Sequence, residues 1–243
     1  MLILNPEFYN TRSFIHFIDA STNALVLNNQ AITMQKEYWL FYYIKEDVIS
    51  NFYSLQRADI NLDFLGFPTI KRTTRHAIEA YIDLFNLCHD PEYIEVMKYC
   101  ANKENKIAEK YGCYRYKNQF TIHSKIQIAK EIHGADMEHL LYISKDSNSY
   151  VHPNVFVDVI GQLDIAKKDA VLRELLMANF LMLHGAYNLL IQKFYNDKQP
   201  YLNCMGCAVG NCRLCYKNAV SNFQQLLNDP LFIEVRPQQP YFM

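Results

Sequence analysis

Glycine and proline are scarce in this chain, with 7 and 8 copies among its 243 residues. Turn-rich β folds need more of both, so their scarcity favours a helical protein. No charge of one sign dominates, because 24 basic side chains stand against 25 acidic ones and the formal net charge is −1. Proteins that cover themselves with nucleic acid are usually basic, so any phosphate contact has to be local.

The sequence also lacks a targeting or membrane signal. Its first residues, MLILNPEFYNTRSF, show no basic segment followed by an apolar core and a cleavage site, so secretion is not expected. The most apolar stretch, 171–191, is interrupted by charged side chains at Arg173 and Glu174, which argues against a membrane span. We therefore expect a cytoplasmic protein without a membrane partner.

Apolar and aromatic side chains, in contrast, are abundant: 50% of the residues are hydrophobic and 14% are aromatic. A large core is therefore easily built. Hydrophobic periodicity predicts successive helices over 32–58, 70–87, 90–111, 124–133, 135–150, 163–195 and 214–227. We expect an all-α protein, with a helical bundle over residues 1–198 and a small appendage over residues 199–243.

Local signals set the ends of several predicted helices. The segment 66–69 (GFPT) interrupts the periodicity before the second helix, and the Asp-Pro-Glu at 90–92 is a typical helix start. Gly134 can adopt the left-handed conformation that closes a helix. The run 38–44 is apolar all round, so we expect neighbouring helices to enclose it.

The strongest chemical motif is CMGCAVGNCRLC, in which Cys204, Cys207, Cys212 and Cys215 form two CxxC pairs. Two such pairs supply the four thiolates of a closed tetrahedral site, which predicts structural Zn²⁺. The gap of four residues between the pairs is short for paired zinc knuckles. An iron–sulfur cluster, a redox disulfide and four free thiols are the alternatives.

A stripe of polar side chains lies along the second predicted helix. Arg72, His76, Glu79 and Asp83 recur at helical spacing, with Arg75 alongside. Such a stripe is typical of a solvated face with ion pairs. The functional interpretation is a pair of arginines, held by Glu79 and directed at an anion.

A second candidate is His152, which precedes Pro153 and follows a polar run. Because proline disfavours helical geometry at the preceding residue, His152 is expected at a helix end with an accessible ring. An accessible imidazole can act as a general acid or base, although capping and packing are the common roles at such a position. We interpret His184, next to the small residue Gly185, as an interior histidine beside a close helix contact.

Several of these segments carry a family resemblance. RHAIEAYIDL at 75–84, DPE at 90–92, LYxS at 141–144 and VHP at 151–153 resemble an uncharacterised bacterial family of HEPN-like helical domains, over about residues 35–195. The resemblance implies a helical bundle that is frequently dimeric. Many HEPN domains are metal-independent ribonucleases of toxin and defence systems, with an Arg a few residues before a His. Here no Arg lies in the eight residues before His152, and Lys145 is the nearest basic residue.

The resulting hypotheses belong to different classes. The first is a degenerate nuclease or binding module stabilised by zinc, with RNA, a protein or a second copy as partner. The second is a ribonuclease in which His152 transfers a proton, Arg75, Arg72 and Lys145 stabilise the phosphate, and Glu79 orients Arg75. The third is an iron–sulfur or thiol redox protein.

Overall fold

The computed structural model describes four segments of the chain: residues 29–57, 66–98, 121–151 without residue 136, and 165–195. It also describes seven separate residues before them, namely Ile15, Ile18, Asp19, Thr22, Asn23, Val26 and Leu27. Every regular element in this part of the chain is helical, which confirms the all-α prediction. The helices are α1 (Lys36–Arg57), α2 (Gly66–His89), α3 (Ile122–His133), α4 (Glu138–Val151) and α5 (Ile165–Tyr195), with 3-10 turns at Gln30–Met34 and Pro91–Tyr93. The appendage predicted over 199–243 lies outside the described residues.

The first predicted helix, over 32–58, is divided into a 3-10 turn and α1. The turn ends at Met34, the backbone of Gln35 is extended (φ −85°, ψ 143°), and α1 starts at the next residue. The indole Nε1 of Trp39 donates a hydrogen bond to the carbonyl oxygen of Thr33 at 2.9 Å. This bond holds the turn against the first turn of α1.

The second predicted helix starts earlier than its sequence suggests. Helix α2 begins at Gly66, so the segment 66–69 is the first turn of the helix and not a break before it. Pro68 is tolerated there because the first N–H groups of a helix have no partner within the helix. Two other signals are confirmed. Asp90 accepts a hydrogen bond from the backbone N–H of Glu92 at 2.9 Å, and Gly134 closes α3 in the left-handed conformation (φ 68°).

Helix α2 is the centre of the bundle and contacts each of the other four helices, while α5 packs against both α1 and α2. The core between them contains large side chains that are almost completely buried, among them Phe41, Phe52, Phe180 and Tyr187. Burial of a large apolar side chain contributes about 1.5–3 kcal/mol relative to exposure, so these residues dominate the stability of the bundle.

Helix α5 meets α2 closely at Gly185. A Cβ atom at this position would lie 2.5 Å from the hydroxyl oxygen of Tyr81 on α2, so Gly185 makes room for the Tyr81 ring. The stretch Glu174–Phe194 of α5 is long and apolar enough to cross a membrane by length and composition, and 72% of its most apolar window is buried inside the bundle.

A buried network of polar side chains joins α1, α2 and α5. Asn51 donates one hydrogen bond to the Thr74 hydroxyl at 3.2 Å and another to Oδ1 of Asn179 at 2.8 Å. Asn179 in turn donates to Thr74 at 3.0 Å and to the carbonyl oxygen of Leu175 at 2.8 Å. The Oδ1 atom of Asn51 accepts from Thr73. Both amides are therefore fully hydrogen-bonded, and the network fixes the relative positions of three helices.

Candidate functional site

The proposed phosphate-binding residues of α2 lie on its N-terminal half, and Arg75 is bound by an acid. Its Nε atom lies 3.2 Å from Oε1 of Glu79, and their side chains are 24% and 38% exposed. Glu79 therefore orients the guanidinium as the sequence suggested. Arg72 is exposed one turn away, and its Nε donates to the carbonyl oxygen of Pro68 at 3.3 Å.

Lys145 lies exposed on α4, whose last residue is Val151. Lys130 of α3 and Glu138 of α4 are 2.6 Å apart, so α4 starts beside the end of α3. Helix α4 also packs against α2, the helix that carries Arg75. His152 follows α4 directly and lies outside the described residues, as do Cys204, Cys207, Cys212 and Cys215.

The structure brings together a surface that sequence analysis did not predict. Trp39 and Tyr43 of α1 are 44% and 51% exposed, with ring centres 6.5 Å apart. The prediction that 38–44 is enclosed on all sides is therefore wrong. Only part of the run, such as Phe41 and Ile44, points into the core. Tyrosine and tryptophan carry polar groups, so a helix can present them to water where leucine would be buried.

His76 of α2 continues this surface. Its ring centre is 6.5 Å from that of Tyr43, and its Nδ1 is hydrogen-bonded to Oδ2 of Asp47 on α1. The hydrogen bond to Asp47 raises the pKa of His76 above its ordinary value, against the opposing effect of burial. We call Trp39, Tyr43, Asp47 and His76 the aromatic face, and Arg72 lies exposed one turn before His76 on α2.

The spacing of residues in the sequence identifies the part of this face that lies on α1. Trp39, Tyr43 and Asp47 recur every four residues, which places them on one side of α1. The pairing of Asp47 with His76 joins two helices and leaves no periodic trace in the sequence.

The C-terminal half of α2 has a different polar environment. Asp83, predicted to share the solvated stripe, is only 14% exposed and lies 2.6 Å from Nζ of Lys125 on α3, which is 10% exposed. The hydroxyl of Tyr93 donates to the other carboxylate oxygen at 2.6 Å. The solvated-face interpretation of the stripe is therefore wrong for Asp83, because α3 covers it.

At the end of the same half, His89 and His133 lie together. Their ring centres are 5.0 Å apart, and the ring of Phe85 is next to both. Burial and the neighbouring His89 lower the pKa of His133, and the charge of Asp90 partly offsets this shift.

Two other residues with reactive side chains, His184 and Cys88, have structural roles. His184 stacks on Phe180, and Asn188 lies 3.3 Å from its Nε2, so it is a bonded interior histidine as predicted. Burial lowers its pKa, which keeps the ring neutral. Cys88 is half-buried, and burial, with the nearby charge of Glu37, raises the pKa of its thiol to about 12. Such a thiol is not reactive at neutral pH.

Within the described ranges, no group of three or more His, Cys, Asp or Glu side chains is placed to hold a metal ion. Comparison with known proteins gives no match: no family model fits the chain, no curated protein is similar to it, and no solved structure resembles it. The aromatic face and its surroundings are therefore the part of the molecule from which a function can be inferred.

Proposed function

We propose that this chain is a HEPN-like, non-catalytic binding module that pairs with a second copy of itself through the aromatic face. The observation that carries this proposal is the exposure of Trp39 and Tyr43 side by side at the junction of α1 and α2. Tryptophan, tyrosine and arginine are the residues that most often dominate binding energy in protein interfaces. Arg72 is exposed on the adjacent helix.

The charges around the aromatic face favour a second copy as the partner. Acids lie on α1 at Glu46 and Asp47, while bases lie on α2 at Arg72 and His76. A two-fold axis places the same patch of both subunits in contact, so a stable dimer needs a patch that complements itself. Asp47 is already bound to His76 within one chain, so Glu46 of one copy and Arg72 of the other are the charges that would meet this condition. A nucleic acid would instead favour a patch of one sign, and this patch contains both.

Sedimentation equilibrium tests the pairing with two matched variants. Tyr43→Ala removes a 51% exposed ring from the aromatic face, and Tyr142→Ala removes a 55% exposed ring from α4. The proposal expects Tyr43→Ala to weaken dimerisation at least about thirtyfold, which corresponds to a hot-spot loss of about 2 kcal/mol. Tyr142→Ala should sediment as the wild type does. A monomeric wild type, or equal effects of the two variants, would contradict the proposal.

The proposal includes structural zinc at Cys204, Cys207, Cys212 and Cys215, as the two CxxC pairs suggest. Metal binding at such a site contributes directly to the stability of the segment that holds it. Metal analysis of the purified protein should give one zinc per chain. The double variant Cys212→Ser with Cys215→Ser should lose both the zinc and part of the helical signal. Unchanged helicity and melting temperature would exclude a structural metal.

A second candidate function is a metal-independent ribonuclease that uses His152 with Arg75. Two observations favour it: Glu79 orients the Arg75 guanidinium, and α4, which ends one residue before His152, packs against the helix that carries Arg75. In this scheme His152 transfers a proton at the ribose or leaving oxygen, and Arg75, with Arg72 and Lys145, neutralises the phosphate.

The ribonuclease scheme is tested with RNA in the presence of a chelator. It requires cleavage by the wild type and at least about a hundredfold loss in both His152→Ala and Arg75→Ala. Lys130→Ala, which removes an exposed base on α3, is the control. Absence of cleavage, or equal cleavage by the wild type and His152→Ala, would leave the binding module as the function.

A further inference from the structure

His89 and His133 lie together, and the hydrogen bond of His89 shows which of its ring nitrogens carries the proton. The His89 Nδ1 atom lies 2.8 Å from the carbonyl oxygen of Phe85. Because a carbonyl oxygen can only accept, Nδ1 carries the proton and donates it. In the neutral ring, Nε2 of His89 therefore keeps its lone pair available.

The partner ring offers a second nitrogen. The Nε2 atom of His133 is buried and has no hydrogen-bond partner in the described part of the chain. Buried polar atoms normally have a partner, and each exception calls for an explanation such as a bound ion or water. His89 is exposed, so its side of the pair faces solvent, whereas the buried Nε2 of His133 has to be uncovered before an ion can bind it.

The spacing of the rings fits two ligands of one metal ion. Zinc binds imidazole nitrogen at about 2.0–2.1 Å, so each ring centre lies about 3.2 Å from the metal. Two rings at the tetrahedral angle then have centres about 5 Å apart. The observed separation of His89 and His133 is 5.0 Å.

We propose that Nε2 of His89 and Nε2 of His133 bind one Zn²⁺ ion, with water in the remaining positions. Among the described residues no third His, Cys, Asp or Glu joins the pair, so this site has fewer protein ligands than the three of a typical catalytic zinc site. The bond from His89 to the Phe85 carbonyl matches the usual support of a metal-binding histidine, whose second nitrogen donates to a carbonyl or carboxylate. The ion would join the C-terminal ends of α2 and α3.

The test is a Zn²⁺ titration of the full chain, with any tightly bound metal left in place, followed by NMR of the histidine side chains. The signals of His89 and His133 should shift together and saturate at one added equivalent, while those of His123 and His184 stay unchanged. His89→Ala should weaken this binding at least about tenfold, because loss of a ligand costs at least as much as loss of its outer support. His123→Ala, at the opposite end of α3, should leave it unchanged.

The variant His89→Ala suits the test because the side chain is exposed, and circular dichroism will confirm that the variant keeps its fold. If neither signal shifts at millimolar Zn²⁺, the pair is a packing cluster and the proposal is wrong. If His89→Ala and His123→Ala weaken binding equally, the added zinc binds elsewhere and the proposal is wrong as well. None of these outcomes depends on the self-association proposed for the aromatic face.

Discussion

The two halves of α2 place similar polar residues in opposite environments. In the N-terminal half, His76 is 63% exposed and bonded to a carboxylate of α1, Asp47. In the C-terminal half, His89 faces a second histidine, His133 of α3, and the nearby acid Asp83 is covered. The same helix therefore contributes to an open surface at one end and, where Asp83 meets Lys125, to a closed junction at the other, with the exposed His89 beside it.

The difference shows that neighbouring helices determine the properties of these residues more than α2 itself does. Asp47 raises the pKa of His76, while burial and His89 lower the pKa of His133. Asp83 belongs to the same helical stripe as His76, yet α3 covers it and supplies Lys125 as its partner. An open surface suits binding, and a closed junction suits stability.

The largest expected effect belongs to the closed junction. Asp83→Ala would leave the buried Lys125 ammonium without its carboxylate, so the free energy of unfolding should fall by about 3 kcal/mol or more. Urea denaturation measures this change. Glu95→Ala, which breaks the exposed pair of Glu95 with Lys98, is the control and should cost about 0.5 kcal/mol or less. Equal costs would show that the junction is not buried in solution.

The next effect concerns the network beneath the open surface. Asn179→Leu would remove the acceptor of one buried N–H of Asn51, while the Asn51–Thr74 bond remains, and the free energy of unfolding should fall by about 2 kcal/mol. Asn188→Leu, on the half-buried side of the same helix, should cost less than about 1 kcal/mol. A smaller loss for Asn179→Leu than for Asn188→Leu would contradict the network.

The smallest effect is the opposite pH dependence of the two histidine sites. The pKa of His76 is raised, so its bond to Asp47 stabilises the fold fully below pH 6.5, and this contribution disappears as the pH rises through the folded-state pKa. The pKa of His133 is lowered, so its contribution is full above pH 6.5 and disappears as the pH falls toward the folded-state pKa.

Denaturation at pH 5 and pH 8, with a chelator present, measures this difference. His76→Gln should cost more stability at pH 5 than at pH 8, and His133→Gln should cost more at pH 8. For the exposed His76 the change is about 0.5 kcal/mol or less. In an Asp47→Asn background, the pH dependence of His76→Gln should become smaller, because only the charge of Glu79 then raises the pKa of His76. If both variants cost more stability at the same pH, the two histidine sites would not differ as described here.

Much of the fold was predictable from local signals in the sequence. Periodicity gives the all-α class and the extent of α5 within two residues at its start, and Gly134 marks the end of α3. The start of α2 was missed because 66–69 reads as a break, whereas a proline in the first turn of a helix costs no hydrogen bond.

The site was less predictable, because its chemistry depends on contacts between helices. Glu79 is one turn from Arg75, so spacing alone predicted their ion pair. The partners Asp47 with His76 and Lys125 with Asp83 are far apart in sequence, and a single chain shows no sign of such pairs. The exposure of Trp39 and Tyr43 was missed because hydrophobic patterns do not distinguish aromatic residues with polar groups from purely apolar ones.

The central claim is that the aromatic face binds a second copy, and Trp39 offers the most direct measurement of it. Trp39 is the only tryptophan in the chain and is 44% exposed, so its fluorescence reports on this face alone. Acrylamide quenching of Trp39 should increase when the protein is diluted from dimer to monomer, and in Tyr43→Ala it should be high at every concentration. If quenching stays constant across a dilution in which sedimentation detects dissociation, the dimer forms through another surface and the account is wrong.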